Sequence, residues 1–288
     1  MKIILDMNTR LHYALISLAI IPGYSLAFEP LNTDDAGTVK KDGNQVEIYS
    51  FTTNQHDSNA LNVVDLPIPG QDYVDTQYAH AFPVTYTRGV SDNLEASIGS
   101  AVYAQPKGAF SPISNTAVAM KWRFAESEDG NWALAIKPSV RLPSTPSQQV
   151  AGLGYSALNY GATLIGSVYW NAVEIHTNAA YAKASYNTNY PTGQNADPNR
   201  TNILFFSIAP VWTVSPGIRL ALDMGLTTNP PTTEQYLSNY GLVAVIFSPI
   251  EAIDIGLSYM RSAANFGIVT SGSGANTTRT EVGVTWRF

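Results

Sequence analysis

The residue types able to do chemistry gather in one short stretch, VEIHTNAAY at 173–181. Glu174, His176 and Asn178 occupy every second position, so an extended backbone sets all three on one face. Ser167 lies across a tight turn at Asn171 and can approach that same face. A serine, a histidine and a carboxylate or amide within hydrogen-bond reach would supply a nucleophile, its base and an orienting group. The competing reading is a strand histidine whose polar atoms are satisfied structurally. Beyond residue 27 the histidines are His56, His80 and His176, and the chain has no cysteine. That is too few nitrogen and sulfur ligands for a metal set. No glycine loop has the spacing that cradles phosphate. Neither a metal nor another cofactor is expected.

The elements that position these residues follow from composition and periodicity. Charged residues make up 13% of the chain, about half the share usual in soluble domains, while apolar residues stand at an ordinary 45%. The start, MKIILDMNTRLHYALISLAIIPGYSLA, has basic residues, a short apolar run and the small pair Ser25 and Ala27. It reads as a secretory signal over 1–27, too short in its apolar core to span a bilayer. Past it, no apolar run reaches membrane-helix length. With no cysteine, disulfides cannot hold the fold. A net charge of −6 argues against nucleic acid as a partner.

Twelve strand-like segments follow, at 45–54, 77–88, 94–105, 117–124, 132–142, 158–170, 172–184, 202–214, 218–226, 237–247, 253–261 and 279–288. Many alternate with period two: Val118, Met120, Trp122 and Phe124 oppose Ala117, Ala119, Lys121 and Arg123. The first and tenth are ambiguous in face. Pro83, Pro138 and Pro210 fall inside strands and predict local bulges. Connections alternate between short turns, such as SPG at 215–217, and long loops rich in Gly, Pro, Ser, Asn and Thr. That alternation is the pattern of an outer-membrane barrel of a Gram-negative bacterium, all-β and antiparallel, with short periplasmic turns and long extracellular loops. The barrel is expected over 45–288. Residues 28–44 precede it as a periplasmic tail or a small plug, and length favours the tail.

Register then sorts the side chains. Trp122, Phe124, Trp132, Trp170, Trp212, Trp286 and Phe288 fall on the apolar face beside short turns or at the chain end, as an aromatic girdle would. Tyr155, Tyr181, Tyr186, Tyr236 and Tyr259 are placed for a second girdle near the long loops. The polar face supplies lumen candidates: Glu95, Lys121, Arg123, Lys137, Arg141, Glu174, His176, Arg219, Asp223, Asp254, Arg279, Glu281 and Arg287. Two readings of that list stay open. It is either a lumen closed by mutually paired charges or a narrow polar pore.

Several blocks carry a family resemblance. LNTDDAGTVKKDGNQVEIYSF at 31–51 holds a Thr33-Asp34-Asp35-Ala36-Gly37 box before a strand led by Glu47. YTRGVSDNLEASIG, VAMKWRF, VRLPS, LALDMGL and IDIGLSY follow. Together they resemble the outer-membrane proteins of the meta-pathway of phenol degradation. The resemblance implies a transporter-like barrel associated with aromatic catabolism, passing small molecules, aromatic or hydrophobic ones among them. It also supports reading Trp286 and Phe288, at the end of TEVGVTWRF, as the signal taken by the barrel-assembly machinery. The expected partners are outer-membrane lipid, that machinery and a small-molecule solute. The alternatives are a lipid-modifying barrel enzyme and a closed structural or adhesive barrel.

Overall fold

In a computed structural model of the chain, the residues described are 30–56, 78–104, 116–143, 158–183, 202–228, 237–264 and 276–288. The signal reading over 1–27, Tyr155, Tyr186 and Tyr236 lie outside them. Twelve strands run in chain order: β1 Asn44–His56, β2 Tyr78–Ser91, β3 Leu94–Ala104, β4 Ala117–Glu126, β5 Trp132–Arg141 and β6 Asn159–Trp170, then β7 Val173–Lys183, β8 Asn202–Ser215, β9 Ile218–Thr228, β10 Leu237–Ile250, β11 Ile253–Ala264 and β12 Asn276–Arg287. Each pairs antiparallel with its neighbours in sequence, and β1 pairs with β12, so the sheet closes into a barrel. Closure leaves no unpaired edge, which hydrocarbon would not tolerate.

The sequence builds this through alternation. On β4, Val118, Met120, Trp122 and Phe124 are exposed on the outside, while Ala119 and Lys121 are buried within. β7 and β9 repeat the pattern, with His176, Asn178, Ala221 and Asp223 turned inward. The exposed belt of Leu, Ile, Val and aromatic side chains around the wall is too extensive for contact with water and suits lipid.

The two ambiguous strands resolve for different reasons. Gln45, Glu47 and Tyr49 of β1 point inward, Tyr49 lying flat against Gly283. Any side chain on Gly283 would collide with that ring, so the close approach requires glycine. On β10 both faces are apolar, with Leu242, Ala244 and Ile246 inside and Val243, Val245 and Phe247 outside.

The prolines depart from expectation. Register is unchanged on either side of each one. Pro83 pairs with Ala101, Pro138 with Ala162 and Pro210 with Ile175, while the ladder on the opposite flank lapses over two consecutive residue pairs. Each proline thus costs one donor without adding a residue, so no bulge forms. The bulges sit instead at Gly89/Ser91, Arg123/Ala125, Thr213/Ser215 and Phe247/Ile250, all beside short turns. Those turns use positive φ at Asn171, Gly130 and Gly217.

Candidate functional site: the occupied lumen

Residues 30–39 do not hang below the barrel. They run through its interior, which corrects the preference for a periplasmic tail. The entry is a turn at 40–43. Gly43 N–H donates to the Lys40 carbonyl at 2.9 Å, and Asp42 and Gly43 exchange backbone bonds with Gly89, each at 3.0 Å. A Cβ at Gly89 would overlap the Lys40 carbonyl, so a glycine there lets the turn seat against the wall.

Inside, barrel side chains take over the bonds that a strand partner would otherwise make with this stretch. The Asp223 carboxylate accepts the Asn32 and Thr33 N–H groups at 2.6 and 2.9 Å and the Tyr240 hydroxyl at 2.7 Å. The Thr33 hydroxyl lies 2.7 Å from both Asp223 and the Ser207 hydroxyl. Arg279 donates to the Asn32 side-chain oxygen at 2.8 Å and pairs with Glu281 at 3.2 Å. Val39 N–H donates to Glu95 at 2.6 Å. Two apolar contacts anchor the run. Leu31 packs on Ala209, Val211, Ala221, Leu242, Ala244 and Ile246, and Ala36 packs on Ala133, Ala135 and Ile165. The inward apolar face of β10 exists to receive Leu31.

The charges converge on Asp34. Its carboxylate lies 3.3 Å from the Lys121 ammonium and 2.6 Å from that of Lys137. Lys121 is 1% exposed, pairs with Glu95 at 3.3 Å and donates to the Asp35 carbonyl at 3.2 Å. Asn178, in the amide orientation that satisfies both of its groups, accepts Asp34 N–H at 2.7 Å and donates to the Asp34 carbonyl at 2.9 Å. Burial would push the Asp34 carboxyl up, but the two ammonium groups outweigh it and hold the acid below its ordinary range. Asp35 behaves oppositely. One of its oxygens caps Gly37 N–H at 2.6 Å and the other is buried without a hydrogen-bond partner. Burial pushes its pKa up to about 7 despite the pull of Lys121 and His176.

The Ser167, Glu174 and His176 constellation assembles in part. Ser167 Oγ is 2.9 Å from His176 Nδ1, and His176 Nε2 is 3.4 Å from Glu174. Asn178 is engaged with Asp34 instead of orienting the imidazole. Ser167 Oγ also accepts Ala36 N–H at 2.9 Å, and Ser167 and His176 are both fully buried. The serine is covered by the segment and faces away from lipid.

The remaining inward candidates form separate clusters. Asp254 joins Arg219 at 3.2 Å and Arg287 at 2.6 Å. Arg123 reaches Glu126 at 3.2 Å and the Asp92 carbonyl at 2.9 Å. Arg141 keeps the inward register near the long-loop end, where it is exposed. Trp122, Phe124, Trp132, Trp170, Trp212, Trp286 and Phe288 are all exposed on the outer wall, with Trp286 and Phe288 in ring contact at 4.4 Å. Tyr181 and Tyr259 are also exposed. Sequence reasoning missed Asn178 as a backbone clamp, the Tyr240 and Ser207 contacts, and the grip of Asp223 on the segment. The one available signal was β10, whose doubly apolar pattern requires an apolar occupant inside.

No family model and no curated protein matches the sequence. Solved structures do resemble its fold. The COG4313 outer membrane channel from Pseudomonas putida F1 is similar at a TM-score of 0.59 and 9% identity, covering 88% of this chain and 98% of that one. The NanC porin is similar at 0.52 and 10% identity, covering 83% and 98%. At such identities the likeness speaks for the fold alone, and with the lipid-facing belt it makes this chain an outer-membrane β-barrel.

Proposed function

We propose that the chain is an outer-membrane channel or transporter for small molecules, aromatic or hydrophobic ones among them, with residues 30–43 as the element that occupies the path. The observation that carries this reading is how the lumen is filled. Much of its interior contact runs through a separate strip of chain held by side-chain hydrogen bonds, ion pairs and two small apolar contacts. A barrel meant only to be closed can fill its interior with its own wall side chains. The resemblance to the phenol-degradation family favours an aromatic or hydrophobic solute, and the inward Leu242, Ala244 and Ile246 would offer such a molecule an apolar surface once Leu31 withdraws. The outward aromatics would sit at the lipid interface, and Phe288 would be read by the assembly machinery.

Liposome swelling with the purified protein tests the channel reading across solute sizes and polarities. Uptake of at least one small solute class above protein-free liposomes is expected, and no uptake of any class overturns it. The lipid-modifying alternative has its Ser167 and His176 pair, but Ala36 covers the serine. If His176→Ala abolished a lipase or deacylase activity of the purified barrel, that alternative would replace the channel.

A further inference from the structure

Asp34 occupies a place that the barrel wall has prepared for an anion. Lys121 and Lys137 converge on it from β4 and β5, and Glu95 is the wall carboxylate paired with Lys121. Two ammonium groups against one carboxylate leave the wall one positive charge in surplus, and Asp34 supplies the balance. Lys121 is buried and takes Glu95, so the surplus falls on Lys137, which is one-third exposed and meets Asp34 at 2.6 Å. Asn178 grips the backbone of the same residue, accepting Asp34 N–H and donating to its carbonyl, and so fixes where the carboxylate sits. Next to the ammonium pair lies the apolar surface of Ala133, Ala135 and Ile165, against which Ala36 packs.

We propose that Lys121 and Lys137 form a carboxylate-binding subsite of the lumen. Asp34 is its internal ligand, and the solute it takes is a small carboxylate with an apolar body that competes with Asp34. This deepens the channel reading and rests on it for delivery of the solute. The binding itself does not depend on transport. A carboxylate that displaces Asp34 restores the local charge balance, whereas a neutral molecule of the same shape leaves both the segment's aspartate and the wall's surplus cation unpaired.

The test is calorimetric titration of the purified full-length barrel with benzoate, using benzyl alcohol as the neutral control of similar shape. Asp34→Asn removes the competitor and should tighten benzoate binding at least tenfold while leaving benzyl alcohol unchanged. Asp34→Glu should behave as wild type. Adding Lys137→Met to Asp34→Asn should abolish the gain. Equal changes for benzoate and benzyl alcohol would mean that the variant merely loosened the segment, and would overturn the proposal. So would benzoate binding that is the same in wild type and Asp34→Asn. A check without variants covers misfolding. Saturating benzoate should speed protease cleavage within 30–43 of the wild-type protein while benzyl alcohol does not, and no effect of benzoate counts against the subsite. Swelling assays separate the two failures. Charge-selective binding without uptake removes the channel reading and leaves the subsite, and uptake without charge-selective binding does the reverse.

Discussion

Replacing Lys121 with methionine probes how tightly the segment and the wall are joined. The ammonium makes three contacts, to Asp34 at 3.3 Å, Glu95 at 3.3 Å and the Asp35 carbonyl at 3.2 Å. Methionine fills much of the same volume, so the loss is electrostatic more than steric. Asp34 would keep Lys137, and Glu95 would keep the Val39 N–H, so neither acid is stripped bare. Even so, two buried carboxylates would share one remaining cation. Breaking a buried pair by removing one partner costs about 3–5 kcal/mol, and the loss should fall in that range. Lys137→Met provides the scale. Its side chain is one-third exposed and has Asp34 as its ion-pair partner, so solvent screening should hold the loss to about 1 kcal/mol. Urea unfolding of the barrel in lipid, followed by tryptophan fluorescence and by the heat-modifiable gel shift, measures both. Glu95→Gln placed on Lys121→Met should recover about 1 kcal/mol or more, because it removes one orphaned charge. A Lys121→Met loss no larger than that of Lys137→Met, with no recovery in the double variant, would refute the charge accounting of the lumen.

Three further outcomes follow from the geometry. Gly89→Ala should unseat the turn at 40–43 while leaving strand register intact, giving faster proteolysis within 30–43 from a barrel that still shows the gel shift; unchanged protection would count against the Gly89 contact. For pH, Asp35 is raised in the docked state, so its contribution is fully present below its ordinary pKa near 4 and is lost as pH rises through about 7. Protection of the segment should therefore fall between about pH 4 and pH 7 and level off above, with Asp35→Asn flattening the profile; a wild-type profile flat over that range would refute it. Deleting Phe288 should lower the yield of assembled barrel more than Phe124→Ala does, because Phe288 also exchanges backbone bonds with Asn44 at 2.8 and 3.0 Å; equal yields would reduce the chain end to interface packing.

Much of the wall was legible in the sequence because one face of each strand answers to lipid. Val118, Met120, Trp122 and Phe124 alternate with small or charged residues, and a one-residue slip would turn the whole set inward. The lumen was legible only as a roster. Lys121, Lys137 and Glu95 can be named from register and charge, but that Asp34 joins them depends on the stagger of neighbouring strands and on the path of residues 30–39, neither of which has a periodic signature. The prolines misled for a related reason. Pro83, Pro138 and Pro210 each need only one flank without a donor, and a meander allows that lapse without shifting register. β10 resisted assignment because its inward face answers to Leu31, some two hundred positions earlier, and not to water.

The contact between Phe288 and Asn44 joins the residue after β12 to the first residue of β1, directly after the turn that seats the internal segment. The seam is therefore a clasp that closes only when β12 meets β1. Until β12 arrives, the cylinder is open along the edge from which residues 30–43 depart, and they can be laid in sideways. Once fastened, the same strip can leave only lengthwise through a mouth. Insertion and removal thus follow different routes.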